Sequence, residues 1–237
     1  MAWEGRTLLA VVCARGGSKG IPRKNLAKVG GLSLIAHAAR TALALDWVDR
    51  AVLSTDDPEM AEEGRRHGLE TPFMRPPELA TDSSKSADMW RHAWLASEEH
   101  YGCRFELSIL LQPTTPLRRP EDVERTVRSL VSEGRGAAAT IGRVPAHFAP
   151  ERILKLGPEG RIEPYLGPES VPSLRQYAPT YYHLDGACYA ITRERLMKGG
   201  QIFDDDCAGV IVDGFAVNID EPFELELAEF MHARAGH

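Results

Sequence analysis

The chain has 237 residues, of which 43% are hydrophobic, and this size and composition fit one α/β domain with a sizeable core. Its net charge of -6 at pH 7 argues against broad binding to nucleic acid or to anionic membranes. The four cysteines are widely spaced, and the sequence has no signal-peptide pattern and no apolar run of membrane-spanning length. These features predict a reduced, cytoplasmic protein that does not enter a membrane.

Strand and helix patterns alternate through the first 142 residues. The strand patterns are short apolar runs, and the helix patterns have apolar side chains at helical spacing. Strands are predicted at 7–14, 50–55, 107–112 and 136–142, and helices at 33–46, 57–68, 86–102 and 119–134. Such alternation predicts an α/β fold, a Rossmann-like three-layer α/β/α arrangement around a mostly parallel sheet.

The alternation is interrupted between about residues 143 and 182, where the sequence contains seven prolines and few apolar runs. We expect a small inserted subdomain there, within a single domain that spans residues 1–237. Beyond it, a strand at 186–192, a short helix from 193, one or two strands at 209–219 and a helix from Pro222 are predicted.

The first predicted strand leads into a turn, ARGGSKGIPRKNL, that is rich in glycines and cations. Its glycines permit a sharp bend that exposes backbone N–H groups, and exposed N–H groups beside cations form an anion site. The cations are Arg15, Lys19, Arg23 and Lys24. The spacing matches neither the dinucleotide fingerprint nor the P-loop, so a phosphate site of another kind is predicted. A solvated basic surface turn is the alternative.

Polar residues also follow three other predicted strands. They lie at 54–57, at 112–118 and at 218–220. Each group alone would also fit a helix cap or a connector. Because the carboxyl ends of parallel strands meet at one edge of a sheet, the groups together predict a ligand site at that edge.

Six motifs carry a resemblance to a known family. They are ARGGSKGIPRKNL, STDDPEMAEEG, RPPELATDSS, LLQPTTPLR, DGACY and NIDEPFELELAE. With these motifs the chain resembles, over essentially its whole length, the acylneuraminate cytidylyltransferases, which activate sialic acid and related nine-carbon 2-keto-3-deoxy sugars. The resemblance implies that CMP passes from CTP to the anomeric hydroxyl of a sugar acid, with Mg²⁺ as cofactor and release of pyrophosphate. It also implies a homodimer, in which the proline-rich segment serves as a dimerisation subdomain.

The resemblance places the triphosphate of CTP in the glycine-rich turn and cytosine beside RPPELATDSS. The implied nucleotide-binding residues are Ala14, Arg15, Gly16, Gly17, Ser18, Lys19, Lys24, Asn25, Arg75, Ala80, Ser83 and Ser86. Backbone groups near Ala80 could distinguish cytosine from uracil by hydrogen bonding. Lys24, Arg15 and Asp220 are the candidate catalytic residues, and Lys24 is expected closest to the transferred phosphate.

The resemblance also implies an acceptor site and a metal site. The implied substrate-binding residues are Gln112, Thr114, Arg152, Arg175, His183, Asp185 and Tyr189. Asp220 and Asn218 are the candidate metal ligands, but the family has Asp-x-Asp where this chain has Asn218, so we expect one firm ligand. Asp185 replaces an asparagine of the family, which suggests an acceptor with different polar groups, such as an amino substituent.

Two alternative functions remain open at this point. A nucleotidyltransferase of the same fold could use another acceptor, such as an eight-carbon keto sugar acid. A nucleotide-binding regulatory protein without turnover is supported only by Asn218. Cys13 and Cys188 lie in apolar runs, so buried structural thiols are predicted and not nucleophiles.

Overall fold

The computed structural model describes residues 3–167, 179–199, 202–214 and 216–235. Within these residues, no helix is long and apolar enough to cross a membrane.

Strands and helices alternate in the order that the sequence predicts. The strands are β1 (Leu8–Cys13), β2 (Lys28–Val29), β3 (Leu32–Ser33), β4 (Arg50–Ser54), β5 (Leu107–Leu111), β6 (Ala137–Arg143), β7 (Leu154–Leu156), β8 (Ile162–Pro164), β9 (Tyr182–Thr192) and β10 (Cys207–Ile211). The helices are α1 (Leu34–Leu43), α2 (Pro58–Arg66), α3 (Ser86–Tyr101), α4 (Pro120–Ser132), α5 (Arg193–Met197) and α6 (Pro222–Arg234). β9 begins four residues before its predicted start, and in the predicted strand region 209–219 the regular strand ends at Ile211.

The central sheet has six strands in the order β10-β6-β9-β5-β1-β4. β1 runs parallel to β4 and β5, and β10 runs parallel to β6. β9 is antiparallel to both of its neighbours, so five of the six strands share one direction and the predicted mostly parallel sheet is confirmed. β9 can run the other way because it follows the 143–181 excursion, and an antiparallel neighbour needs no crossover helix.

Helices cover both faces of the sheet, which confirms the three-layer arrangement. Successive side chains of β1 point to opposite faces, and both faces are apolar. On one face Val12 belongs to a buried cluster that includes Ile35 of α1 and Val127 of α4. On the other face Val11 belongs to a cluster with Trp90 of α3. The core therefore holds β1 rigidly, and the turn that follows β1 starts from a fixed point.

The described part of the 143–182 segment leaves the sheet, as predicted. β7 and β8 pair as a small antiparallel sheet, and short 3-10 turns precede and connect them. The boundaries of a separate subdomain stay a prediction.

The segment that precedes α6 returns to the carboxyl ends of the strands and packs against the turn after β1. A Cβ atom at Gly20 would lie 2.3 Å from the backbone oxygen of Asp220, so only glycine allows this approach. The amide of Ile219 donates a hydrogen bond to the carbonyl of Thr114 at 2.8 Å. The turns that follow β1 and β5 thus both contact residues 218–220.

Candidate functional site

A cleft of about 420 Å³ lies at the carboxyl ends of the parallel strands, where the sequence predicts a ligand site. Four segments line it: the turn after β1, residues 75–89, the turn after β5 and the residues before α6. Eleven of the predicted site residues line this cleft, namely Arg15, Ser18, Lys19, Lys24, Asn25, Arg75, Ser86, Gln112, Thr114, Asn218 and Asp220. The structure thus brings residues that are up to 205 positions apart in the sequence into one cavity.

Five predicted nucleotide-binding residues lie beside the cleft without lining it. They are Ala14, Gly16, Gly17, Ala80 and Ser83. The amide of Gly16 donates to Asp56 at 3.0 Å and the amide of Ala80 donates to Pro77 at 3.0 Å, so both amides already have partners. The predicted contact between the backbone near Ala80 and a base stays a prediction.

The predicted acceptor residues are more dispersed. Arg152 and His183 are exposed outside the cleft, and Arg175 lies outside the described residues. Tyr189 is buried against Phe203, and burial raises its pKa to about 12. Asp185 is also buried and does not line the cleft. The roles of these residues stay predictions.

The cations of the first turn are held by two carboxylates on opposite sides of the cleft. Arg15 and Lys19 form ion pairs with Asp82 at 2.8 and 2.7 Å, and hydrogen bonds from Lys19 and Arg15 lower the pKa of Asp82. Lys24 forms an ion pair with Asp220 at 2.7 Å. Arg23, the fourth cation, points to α2 instead, where it pairs with Asp57 and Glu59. Three of the four cations therefore face the cleft.

Arg75 is a buried cation at the base of the cleft. Its Nε atom donates to the Ser54 hydroxyl at 3.1 Å, and its Nη2 atom donates to the Ser54 carbonyl. Burial lowers the pKa of Arg75. Cys13 lies nearby in the lining, and burial raises its pKa. It is only partly buried, unlike the buried thiol that the sequence predicts, whereas Cys188 is buried as predicted.

Asp220 is an exposed carboxylate of the cleft, with 61% of its side chain accessible. One carboxylate oxygen pairs with Lys24, and the other accepts a hydrogen bond from the Asn218 amide at 3.0 Å. The Glu224 carboxylate accepts from the backbone amides of Asp220 and Glu221, which fixes Asp220 at the start of α6. Among the described residues, no cluster of three or more His, Cys, Asp or Glu could hold a metal ion alone.

The turn after β5 presents Gln112 and Thr114 to the cleft. Arg118 supports this turn from behind, because its guanidinium donates to the carbonyls of Gln112 and Thr115. The hydrogen bond from Ile219 to Thr114 then ties the turn to the segment that carries Asn218 and Asp220. The turn after β5 and the candidate metal ligands are therefore connected by hydrogen bonds.

Several cleft residues were not singled out from the sequence. Asp82 lies inside the quoted motif RPPELATDSS, but its contact with two cations depends on how the loop folds back. Leu79 and Met89 supply an apolar lining that would suit a base, and Lys85 adds a cation. The sequence could have indicated these residues only through their position between or next to Arg75 and Ser86.

Comparisons of the sequence and of the structure with known proteins all find cytidylyltransferases. Residues 9–144 match the cytidylyltransferase family. Proteins named CMP-N,N'-diacetyllegionaminic acid synthase from Campylobacter jejuni and Legionella pneumophila are 30% and 27% identical over 225 and 226 residues, and each alignment covers 94% of both chains. A solved structure of a CMP:2-keto-3-deoxy-manno-octonic acid synthetase complexed with CTP has a TM-score of 0.70 and 20% identity, and the alignment covers 97% of this chain and 99% of that one. The structural likeness shows the fold.

Asp82→Asn should strengthen the binding of inorganic triphosphate. The neutral side chain no longer competes with the ligand for Arg15 and Lys19, and two exposed ion pairs of this kind correspond to about a two- to tenfold gain in affinity. Titration calorimetry at low salt would measure it. Asp88→Asn is the matched control, because Asp88 pairs with Arg91 outside the cleft lining and should leave the affinity unchanged. Equal affinities for Asp82→Asn and the wild type would show that Asp82 does not occupy the anion site.

Proposed function

The chain belongs to the cytidylyltransferase family, and we propose that it transfers CMP from CTP to a sialic-acid-like, nine-carbon 2-keto-3-deoxy sugar acid. The anomeric hydroxyl oxygen would attack the α-phosphorus of CTP, and pyrophosphate would leave. The observation that carries the proposal is the convergence of Arg15, Lys19 and Lys24 on one cleft beside Asp220.

The three cations suit a reaction in which charge moves between phosphates. Phosphoryl-type transfer depends mainly on positioning and on neutralising negative charge. Arg15 and Lys19 would bind the outer phosphates after release from Asp82, since both are already directed at a carboxylate that lines the cleft. Lys24, on the Asp220 side, would face the α-phosphate.

The 79–89 segment of the cleft lining suits cytosine. Leu79 and Met89 provide apolar contact for a base, and Ser86 provides a hydroxyl at the start of α3. The Ala80 carbonyl is an acceptor for the cytosine amino group, which uracil lacks. This carbonyl would favour CTP over UTP without a charged side chain in contact with the base.

Mg²⁺ is the cofactor that we propose for this site, with Asp220 and Asn218 as the residues that would hold it. The donor set fits, because Mg²⁺ is usually held by one or two carboxylates while waters and substrate phosphates complete its coordination. Asp220 is accessible and lines the cleft next to Asn218. The bound ion would supply positive charge to the phosphates.

Two rival functions are weaker. An eight-carbon acceptor is favoured only by the name of a structural relative at 20% identity, whereas two legionaminic acid synthases align over 94% of the chain. A regulatory protein without turnover would not need Arg75, Asp220 and three further cations in one cleft. The predicted cytoplasmic location stays a prediction.

The homodimer is also a proposal. Several large apolar side chains of the 143–167 segment are exposed, including Phe148 at 62%, Leu156 at 77% and Ile162 at 66%. A patch of this kind indicates a surface that another molecule covers. Sedimentation velocity should show a dimer for the wild type and a monomer for the double variant Leu156→Glu, Ile162→Glu. A monomeric wild type at micromolar concentration would contradict the proposal.

Pyrophosphate release tests the proposed reaction. With CTP and Mg²⁺, we expect turnover with N-acetylneuraminic acid or N,N'-diacetyllegionaminic acid and much slower turnover with the eight-carbon acid. UTP should support little reaction, because the Ala80 carbonyl has no amino group to bind. Preference for the eight-carbon acid would favour the rival enzyme, and no turnover with any acceptor, together with tight CTP binding, would favour the regulatory protein.

Asp220→Asn should lower turnover by roughly two to three orders of magnitude, because it removes the exposed carboxylate from the proposed metal site. Asn218→Asp should instead tighten Mg²⁺ binding, since a second carboxylate adds Coulomb attraction to the ion. A Mg²⁺ titration of the initial rate would measure both effects. Glu226→Gln, an exposed change on α6 outside the cleft lining, is the control for net charge. An Asp220→Asn enzyme with a normal rate and normal Mg²⁺ dependence would show that the metal is held elsewhere.

A further inference from the structure

Arg118 is a buried cation whose hydrogen bonds go to uncharged groups. Only 8% of the residue is exposed. Its Nε and Nη2 atoms donate to the Thr115 carbonyl at 3.1 and 3.0 Å, and Nη2 also donates to the Gln112 carbonyl. Its Nη1 atom is buried and has no hydrogen-bond partner among the described residues. Carbonyl oxygens satisfy donors but do not balance a full positive charge, so this position calls for a nearby anion.

Asp185 is a buried carboxylate on the other side of Thr115. Only 2% of the residue is exposed. Its Oδ1 atom accepts hydrogen bonds from the Ala187 amide at 2.9 Å and from the Thr140 hydroxyl. Its Oδ2 atom is buried and lacks a partner within the part of the chain that the structure describes. Its carbonyl accepts a hydrogen bond from the Thr115 hydroxyl at 3.3 Å, so Thr115 contacts both Asp185 and Arg118.

The electrostatics agree with this arrangement. Burial lowers the pKa of Arg118 to about 10, and the negative charge of Asp185 is one of the influences that oppose the decrease. Each charge therefore offsets part of the cost of burying the other. The two unpartnered atoms, Nη1 and Oδ2, make no direct contact with each other, so one buried water between them is what would complete the pair.

The surroundings of Asp185 extend directly to the cleft. Gly186 has a φ of +77°, and a Cβ atom there would lie 2.9 Å from the side-chain oxygens of Gln112 and Thr115. It would also lie 3.7 Å from the side-chain oxygen of Asn218. The backbone beside Asp185 thus packs on residues that line the cleft, and Thr114 links the same turn to Ile219.

We propose that Arg118 and Asp185 form a buried, water-bridged charge pair on either side of Thr115, and that this pair positions the turn 112–115 and the segment 218–220 for turnover. Neither residue lines the cleft, so both act as positioning residues. The kinetic part of this inference rests on the proposed cytidylyltransferase function, whereas the charge pair itself does not depend on it.

A double-mutant cycle with Asp185→Asn, Arg118→Met and their combination tests the pair. Removing one partner of a buried pair leaves the other charge uncompensated, so each single variant should lower the melting temperature by roughly 10 °C. The double variant should melt within a few degrees of the worse single variant, because it leaves no unpaired charge. Arg118→Lys, which keeps the charge but not the planar fork, should melt above Arg118→Met. If Arg118→Met does not fold, the same cycle is run with Arg118→Gln, which also removes the charge.

Steady-state kinetics well below the melting temperature tests the positioning role. With CTP, Mg²⁺ and N,N'-diacetyllegionaminic acid, Asp185→Asn should lower kcat by about ten- to hundredfold through misplacement of the two cleft segments. KM for CTP should change by less than about threefold, because the proposed base contacts are made by residues 79–89 and not by the two segments that the pair positions. The control cycle uses Glu62→Gln and Arg65→Met, an exposed pair on α2 at 3.0 Å, which should move the melting temperature by about 1 °C and leave kcat unchanged.

Three outcomes would overturn the inference. Additive losses of melting temperature would show that the two residues are not paired. Lower melting temperatures with an unchanged kcat would show a purely structural pair. A change confined to KM for the acceptor would make Asp185 a sugar contact instead. If the wild type turns over no acceptor, the proposed function fails, and the melting temperatures still decide whether the pair exists.

Discussion

The cleft depends on the close contact between the turn after β1 and the backbone of Asp220. Gly20 allows this contact, because any larger residue would meet the Asp220 carbonyl. The same approach brings Lys24 within 2.7 Å of the Asp220 carboxylate. Two segments almost 200 positions apart in the sequence thereby form adjoining walls of one site. The rigid core around β1 and the capping of α6 by Glu221 and Glu224 keep these two walls in place.

The second constraint is electrostatic. The protein is acidic overall, yet its cleft gathers Arg15, Lys19, Lys24 and Arg75. Asp82 and Asp220 form ion pairs with the three cations of the turn that face the cleft. A triphosphate carries more negative charge than either carboxylate and would replace Asp82 and Asp220 as the partner of these cations. Binding of the ligand would therefore change the positions of these side chains. The proposed activity follows from this exchange, since the same cations would stabilise the phosphates during transfer.

Much of the fold could be predicted because most of its helices and strands have a recognisable pattern in their own sequence. The apolar run of β1, the helical spacing of α1 and α4, and the glycines after β1 each carry a signal within a short window. The direction of β9 could not be predicted in the same way, because it depends on the path of the preceding excursion and not on the strand's own residues. The early start of β9 at Tyr182 has the same origin, since it is set by pairing with β6.

The site was predictable to the extent that its residues lie in contiguous motifs. The resemblance indicated Arg15, Lys24 and Asp220, and all three line the cleft. It did not indicate Asp82, because that ion pair arises only when the loop folds over the turn. Arg118 belongs to the polar group 112–118 that the sequence predicts at the ligand site, and its burial behind the cleft became evident only once β5, β9 and α4 were packed together.

A crystal structure of the protein with CTP and Mg²⁺ would test the central claim most directly. The account predicts that the triphosphate replaces Asp82 as the partner of Arg15 and Lys19. It also predicts the α-phosphate next to Lys24, the metal at Asp220, and cytosine between Leu79, Ala80 and Met89. A nucleotide bound outside this cleft, or bound within it while Asp82 still holds both cations, would contradict the account.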